Sequence, residues 1–193
     1  MNFGNSQDRY QRTYHRAPFT LEHCHETGRL LFFSTLSKGA GWCSIFDLST
    51  APAWRATGVW HHIACVWDAT APRADWLRMY IDGKKVSGLT RILHEEYISN
   101  RPQVELETTL PYCVQIGGRT RGRAPMNAEL DEFRISRAPR YLADFAPPTR
   151  PFALDAHTSA LLHFDRDLVG HGMTPQGQRY RIDATAGWAA YGE

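Results

Sequence analysis

The segment from Trp76 to Val86 constrains the fold of this chain more than any other. It reads Trp-Leu-Arg-Met-Tyr-Ile-Asp-Gly-Lys-Lys-Val, and apolar Leu, Met and Ile alternate with Trp, Arg and Tyr over its first six residues. An alternation with a period of two is typical of a half-buried β-strand. Asp82-Gly83 then supplies the positive φ angles of a tight turn, and Val86 resumes the apolar pattern. The segment therefore predicts a β-hairpin.

Short strand-like runs recur along the rest of the chain, most of them bounded by Gly, Pro, Asp or Ser. No convincing helix-length pattern follows any of them. Residues 137–151 have room for one helical turn at most, at Arg140–Asp144. Regular short strands without intervening helices predict an antiparallel all-β sandwich or barrel. The predicted strands are Phe19–His23, Leu30–Thr35, Trp42–Leu48, Trp60–Trp67, Trp76–Ile81, Lys84–Leu89, Val114–Ile116, Glu129–Ile135 and Ala160–Phe164, and Tyr180, Ile182, Trp188 and Tyr191 could supply a closing strand.

Length and composition fit one globular domain. The 193 residues are 42% apolar, which suffices for a core at a length where all-β sandwiches often remain undivided. We expect residues 1–16 to form a polar arm and residues 17–193 a single domain. The formal net charge is only +2, which argues against a nucleic-acid partner or a membrane surface. No apolar run approaches the length of a membrane span.

The cysteines and the N-terminal sequence bear on the compartment. Cys24, Cys43, Cys65 and Cys113 form no CxxC pair, which argues against a structural zinc site. Two disulfides and free, buried thiols both remain open, because Cys43 and Cys65 lie in apolar runs. The polar N-terminal sequence carries no secretory signal, so we expect synthesis in a cytoplasm.

Four motifs follow one another in a fixed order along the chain. They are Gly58-Val-Trp-His-His-Ile-Ala-Cys-Val-Trp-Asp, Leu77-Arg-Met-Tyr-Ile-Asp-Gly-Lys-Lys-Val, Ile116-Gly-Gly and Glu129-Leu-Asp-Glu-Phe-Arg-Ile-Ser. This series resembles the laminin G-like, or concanavalin A-like, jelly-roll family, and the resemblance extends from Phe19 to Phe164. It implies an antiparallel two-sheet jelly-roll sandwich.

Two C-terminal stretches refine the resemblance. Residues 131–152 resemble the version of this domain found in bacteriophage tail and virion proteins and in some bacterial surface proteins. Residues 155–165 resemble the strand that usually opens such a domain, although here it lies near the C-terminus. Either the domain is circularly permuted, with Ala160–Phe164 closing its own sheet, or this strand begins a truncated repeat. We favour closure within the chain, because an unpaired apolar strand promotes aggregation.

The residues argue against catalysis. Glycosidases of the resembled architecture commonly carry two carboxylates in an E-x-D-x-x-E strand motif, which this sequence lacks. Asp131 and Glu132 are adjacent on a predicted strand, so they should point to opposite faces and cannot flank one glycosidic bond. Glu95 and Glu96 lie in the long charged connection Arg91–Tyr112, where solvated loop charges are the ordinary interpretation. We therefore expect no enzymatic activity.

Candidate ligand-binding residues are aromatic or lie in loops. Trp54 and Trp76 could stack on sugar rings, or could belong to the core or a subunit interface. The connection Arg91–Tyr112 is longer than a hairpin requires, and loops on a rigid sandwich carry function. A second, basic loop could meet anionic sugars or remain solvated. The candidates are Trp54, Trp76, His94, Glu95, Glu96, Arg119, Arg121 and Arg123.

The resemblance also implies a structural Ca²⁺, held by a carboxylate at the position of Asp131 and by main-chain carbonyls from distant loops. Calcium takes six to eight oxygen ligands, and the alternative is that Asp131 accepts main-chain hydrogen bonds at a strand edge. His23 and His25 share a strand face as zinc ligands could, but further ligands are missing, which favours packing. His61 and His62 face opposite ways, and the resembled family uses a His pair there for packing.

We expect a lectin-like recognition or adhesion module that binds a glycan or a partner protein through loops at the sheet ends. Its expected setting is a phage or virus particle, with a cell-surface assembly as the alternative. A different function would be a purely structural decoration or assembly subunit without sugar binding, and a remote third is a glycoside hydrolase. The first two imply a homo- or hetero-oligomeric assembly.

Overall fold

The computed structural model describes residues 19–24, 29–38, 41–49, 58–68, 70–87, 89–92 and 128–184. These residues form antiparallel β-strands and one short 3₁₀ turn, Arg73–Asp75, with no α-helix in the described ranges. The all-β prediction is therefore confirmed. The strands are β1 (Phe19–Cys24), β2 (Arg29–Lys38), β3 (Gly41–Ser49), β4 (Ile63–Trp67), β5 (Leu77–Ile81), β6 (Lys84–Lys85), β7 (Leu89–Ile92), β8 (Phe133–Ser136), β9 (Thr158–Leu162), β10 (Val169–Met173) and β11 (Arg179–Asp183).

The described residues fall into two compact units, and unit 1 contains β1 to β7 together with the segment Tyr141–Pro147. Its two sheets have the strand orders β1-β2-β3-β7 and β4-β5-β6. Leu30 and Phe32 of β2 pack against Leu77 and Met79 of β5, and all four side chains are buried. This arrangement is the antiparallel two-sheet sandwich that the sequence predicts.

The alternation that predicts the hairpin decides which side chains enter this core. Residues 63, 65 and 67 of β4 lie opposite residues 81, 79 and 77 of β5, and these positions share the core face. Fully burying a Leu or Met side chain stabilises the fold by about 1.5–3 kcal/mol. Arg78 and Tyr80 occupy the opposite face and are buried as well, so both faces of β5 lie inside unit 1.

The return strand of the hairpin is shorter than predicted. β6 ends at Lys85, and β7 pairs with β3 in the other sheet of unit 1. The prediction of one strand over Lys84–Leu89 is therefore wrong, because the chain changes sheets between these two residues. Arg91 and Ile92 belong to β7 instead of the long connection. The rest of that connection and the predicted strand Val114–Ile116 lie outside the described residues.

Unit 2 contains one sheet with the strand order β11-β10-β9-β8. Strand β9 pairs with β8 on one side and β10 on the other, so the expectation that this apolar strand is paired within the chain is confirmed. The sequence does not predict β10, because Gly170 and Gly172 interrupt its apolar alternation. A Cβ at Gly172 would collide with the main-chain oxygen of Ser159 and with the Tyr180 ring, so close strand packing requires the glycine.

Several expectations about organisation stay predictions. Tyr180 and Ile182 lie on β11, as a closing strand would place them, whereas Trp188, Tyr191 and the arm 1–16 lie outside the described residues. The single domain over 17–193 stays a prediction. Among the described residues, no helix has the length and apolar character needed to cross a membrane.

Candidate functional site

The carboxylate of Asp82 holds the hairpin turn between β5 and β6. Asp82 and Gly83 have φ angles of 51° and 78°, both in the left-handed region that a type I′ turn requires. Oδ2 of Asp82 lies 2.8 Å from Nδ1 of His61, and Oδ1 accepts a 2.9 Å hydrogen bond from the His62 N–H. The hydrogen bond with His61, followed by that from His62, holds the pKa of Asp82 below its usual value. The charged carboxylate therefore fixes the residues that lead into β4.

The segment Tyr141–Pro147 lies along the same hairpin. The Phe145 N–H donates to the Gly83 carbonyl at 2.9 Å. Oδ1 of Asp144 accepts a 2.8 Å hydrogen bond from the Lys85 N–H, and this bond is the main reason that the pKa of Asp144 is lowered. A carboxylate thus satisfies the main-chain donor that β6 presents at its outer edge.

Aromatic rings join these elements further. The Tyr141 and Phe145 rings stack with 3.7 Å between their centroids. The His62 ring meets both of them edge-on, at 5.9 and 5.4 Å. The buried Tyr80 side chain packs on Phe145 and donates its hydroxyl to the Tyr141 carbonyl at 3.2 Å. The His pair and the Asp-Gly turn therefore act as framework, as expected from the resemblance.

A buried ion pair organises the loop between β4 and β5. Arg78 donates from Nη2 to Oδ2 of Asp68 and from Nη1 to the Asp75 carbonyl, each at 3.0 Å. The Thr70 hydroxyl donates to Oδ1 of Asp68 at 2.6 Å. The hydrogen bonds from Thr70 and then Arg78 lower the pKa of Asp68. The buried guanidinium is thereby neutralised and serves to position the loop.

Trp76, one of the two predicted sugar-stacking tryptophans, lies at the end of this loop. Its indole N–H donates to the Ala71 carbonyl at 2.8 Å. Its ring meets Trp67 edge-on, with 5.7 Å between centroids, and packs against the buried core of unit 1. Of the alternatives that the sequence leaves open for Trp76, these contacts support the core position.

Among the described residues of unit 1, an exposed aromatic side chain lies directly before β4. Val59 and Trp60 leave 62% and 64% of their surface exposed. The next residue, His61, is bonded to Asp82, so the indole projects from a fixed base into solvent. The sequence pattern misses this exposure because it assigns Trp60 to a strand that begins only at Ile63.

Glu132 and His163 form a polar centre in unit 2. Oε1 of Glu132 lies 2.7 Å from Nδ1 of His163, and Oε2 accepts a 2.7 Å hydrogen bond from the Phe152 N–H. Glu132 has a φ angle of 52°, which interrupts the extended chain, so β8 starts at Phe133. The prediction that Asp131 and Glu132 lie on a strand, with their side chains on opposite faces, is therefore wrong.

Asp131, the predicted calcium ligand, is exposed, and its Oδ1 accepts a 2.9 Å hydrogen bond from the Glu132 N–H. A carboxylate that receives a main-chain bond is the alternative that the sequence leaves open. Within the described ranges, no three His, Cys, Asp or Glu side chains gather as metal ligands would. A calcium ion needs six to eight oxygens. The predicted site combines one carboxylate with main-chain carbonyls from distant loops, so calcium stays a prediction.

A bidentate ion pair joins the chain that follows β8 to the chain that precedes β9. Nη1 and Nη2 of Arg140 donate to the two carboxylate oxygens of Asp155 at 2.5 and 2.6 Å. Nε of Arg140 donates to the Ser136 hydroxyl, and the Thr158 hydroxyl donates to Asp155. The bonds from Arg140 hold the pKa of Asp155 far below its usual range. These groups therefore hold unit 2 together.

A laminin G-type family model, described as the concanavalin A-like lectin/glucanases superfamily, matches residues 11–143. The chain belongs to this superfamily. The family resemblance drawn from the four motifs is thereby confirmed, while the relation to phage and virion proteins stays a prediction. Strands β9, β10 and β11 lie beyond the matched residues. Among curated proteins and solved structures, no match to the chain is found.

The structure joins two of the four motifs directly. The Asp-Gly turn of the second motif binds the His pair of the first through Asp82, so the two motifs form one structural unit. Membership supports a carbohydrate- or partner-binding module, and domains of this type are typically non-catalytic.

Most of the predicted site residues lie outside the part of the chain that the structure describes. Trp76 belongs to unit 1 and Asp131 to unit 2. His25 and the side chain of His23 lie outside the described part of the chain. The same holds for the predicted site residues Trp54, His94, Glu95, Glu96, Arg119, Arg121 and Arg123.

Proposed function

We propose that this chain is a non-catalytic recognition module that binds a glycan, and that the exposed indole of Trp60 is part of the contact surface. The observation that carries the proposal is the 64% exposure of this ring on a residue whose neighbour His61 is bonded to Asp82. An aromatic ring offers a large contact area with few rotatable bonds, so binding costs little side-chain entropy. A fixed base lowers that cost further.

Five aspartates among the described residues support a structural role for their carboxylates instead of a catalytic one. A glycosidase needs a general acid whose pKa is raised, so that it remains protonated at neutral pH. Asp68, Asp75, Asp82, Asp144 and Asp155 all have pKa values that are lowered, chiefly by hydrogen bonds from neighbouring side chains or main-chain N–H groups. These groups are suited to accept hydrogen bonds that hold the fold.

The proposed setting is a phage or virus particle or a cell-surface assembly, where a recognition module attaches the particle or the cell to a polysaccharide. What supports this setting is the resemblance of residues 131–152 to domains of virion and bacterial surface proteins. A purely structural assembly subunit is the second candidate function. The observation that favours it is the position of β11 at the edge of its sheet, where no described strand lies on its outer side.

A glycan array that includes bacterial cell-wall polysaccharides tests the proposal. The wild type should bind a defined subset of glycans, and Trp60→Ala should lower the affinity at least tenfold, on the order of one lost hot-spot contact. Leu142→Ser is the matched control, since Leu142 is 68% exposed in the same unit, and it should bind like the wild type. Both variants should melt within about 2 °C of the wild type, because surface changes usually alter stability by less than about 0.5 kcal/mol.

Two outcomes would overturn the proposal. If the wild type binds no glycan and forms a large oligomer by light scattering, the structural function replaces the lectin function. If Trp60→Ala binds as tightly as Leu142→Ser, glycan binding does not use the Trp60 surface.

A further inference from the structure

Strand β11 forms the edge of the unit 2 sheet. It pairs with β10 on one side, and no described strand lies on its other side. Its residues are exposed except for Ile182, which is half-buried. Natural edge strands are often blocked by proline, by a bulge, by charged side chains or by covering elements. β11 carries three charged side chains, and they include both signs. β11 contains no proline and pairs with β10 over all five residues without a shift in register, so its edge is regular.

The hydrogen bonds of the β10–β11 hairpin show which main-chain groups of β11 face outward. The Thr174 N–H donates to the Gln178 carbonyl at 2.8 Å, and the Ala184 N–H donates to the Leu168 carbonyl at 3.0 Å. Hydrogen-bonded pairs alternate along an antiparallel ladder, so the even-numbered residues of β11 bond to β10. The N–H and C=O groups of residues 179, 181 and 183 therefore point away from the sheet.

The side chains along this edge are complementary to themselves. Arg181 and Asp183 are two residues apart on one face, and Nε of Arg181 donates to Oδ1 of Asp183 at 2.7 Å. Their side chains are 62% and 67% exposed, which leaves both accessible to a partner. A second β11, antiparallel about a two-fold axis at Ile182, would place each Arg181 opposite the other copy's Asp183.

This register is favoured over its neighbour by charge. An axis at Arg181 would also place each Arg179 opposite the other copy's Asp183, but it would place two Arg181 side chains directly opposite each other, which is destabilising. With the axis at Ile182, the two Ile182 side chains face each other and no like charges are opposed. The outward residues 181 and 183 then form hydrogen-bonded pairs, each of which exchanges both main-chain bonds.

We propose that two copies of this chain associate by antiparallel pairing of their β11 strands about a two-fold axis at Ile182. The interface is isologous, because the same residues contribute from both copies. One strand pair buries much less than the ~1,200–2,000 Å² of a stable interface, so the dimer forms only at high protein concentration. The surface belongs to unit 2, and the inference does not depend on glycan binding through Trp60.

Sedimentation velocity over a range of protein concentrations, with variants that exchange charge, tests the pairing. Arg181→Asp and Asp183→Arg each convert both cross-strand ion pairs into like-charge pairs. Each single variant should weaken dimerisation by roughly tenfold or more, since such pairs contribute up to about 1 kcal/mol apiece. The double variant Arg181→Asp/Asp183→Arg restores opposite charges across the axis and should dimerise like the wild type.

A cysteine pair tests the register independently. Residues at a non-hydrogen-bonded antiparallel pair have Cα atoms about 4.5 Å apart, within the range of a disulfide. Ile182→Cys should therefore give a covalent dimer under mild oxidation. Arg179→Cys, on the same strand but distant from the axis, is the matched control and should give no more covalent dimer than the wild type.

Three results would overturn the proposal: a wild type that stays monomeric at the highest concentration, single charge variants that dimerise normally, or a double variant that does not recover. The glycan array measured on the single charge variants separates this proposal from the first. Failure of β11 pairing leaves glycan binding intact, and failure of glycan binding leaves the sedimentation results unchanged.

Discussion

Replacing Asp82 with Ala tests whether its carboxylate holds the hairpin turn. The change removes the acceptor of hydrogen bonds from His61 and His62 at 2.8 and 2.9 Å and leaves Ala at a φ of 51°. A hydrogen bond contributes about 0.5–1.5 kcal/mol net, and the lower part of this range applies because 49% of the Asp82 side chain is exposed. Left-handed Ala costs about 1–2 kcal/mol. The expected loss of unfolding free energy is about 2–3 kcal/mol.

Urea denaturation followed by circular dichroism measures this loss as a lower midpoint with an unchanged slope. The melting temperature should fall by about 4–12 °C, since 1 kcal/mol corresponds to about 2–4 °C in a chain of this length. Asp82→Asn is the matched control. It tolerates the left-handed conformation and keeps an oxygen for the His62 N–H, so it should lose less than about 1 kcal/mol. An Ala variant as stable as the wild type, or an Asn variant as unstable as the Ala variant, would contradict the stabilising role of the Asp82 side chain in the turn.

The stability that the Asp82 carboxylate contributes should depend on pH and should be lost in acid. The pKa of Asp82 is lowered in the folded protein, below the value of about 3.9 in the unfolded chain. Its contribution is fully present above the unfolded pKa and is lost as the pH falls through the folded pKa. The difference in stability between wild type and Asp82→Ala should stay constant above about pH 5 and shrink below about pH 4. A difference that persists unchanged in acid contradicts the ionised hydrogen-bonded carboxylate.

Three further changes probe other contacts. Gly83→Ala should lower the melting temperature far more than Gly177→Ala. Both glycines have positive φ, but only a Cβ at residue 83 collides with the segment packed on the hairpin. Equal losses of melting temperature would contradict this explanation. Asp155→Asn should destabilise the protein at neutral pH, and this loss of stability should disappear in strong acid, because Arg140 lowers the pKa of Asp155. A loss that is independent of pH would contradict a stabilising role of the ionised carboxylate. Burial raises the pKa of the Cys65 thiol to about 12, so the thiol should react slowly with iodoacetamide. Peptide mass mapping should find Cys65 unlabelled in the native protein and labelled in urea. Labelling of the native protein would contradict the burial of this thiol.

The hairpin could be predicted because all of its determinants are local. Alternation over Trp76–Ile81 marks the strand, and Asp82-Gly83 marks the turn. β10 could not be predicted, because Gly170 and Gly172 are explained by residues that lie elsewhere in the sequence. The Tyr180 ring and the Ser159 carbonyl occupy the space that a side chain at Gly172 would need.

The exposure of Trp60 and the partial burial of Trp76 could not be predicted from the local sequence either. A pattern with a period of two cannot tell where a strand begins, so Trp60 and Trp76 look alike in the sequence. The difference comes from contacts outside their strands. Ala71 accepts the Trp76 indole N–H, whereas the chain at Trp60 is not yet part of β4. The partial burial of Trp76 and the exposure of Trp60 therefore follow from the contacts that each ring makes in the folded chain.

If Trp60 serves recognition and Trp76 serves the fold, the NMR signals of their indole N–H groups should respond differently to a bound glycan. The chain has six tryptophans, whose indole signals can be assigned with single Trp→Phe variants. During titration with a glycan that the array identifies, the Trp60 signal should shift with the fraction bound. The Trp76 signal, from an N–H bonded to the Ala71 carbonyl at 2.8 Å, should stay in place. A saturating glycan that leaves the Trp60 signal unmoved would contradict a role of Trp60 in glycan recognition.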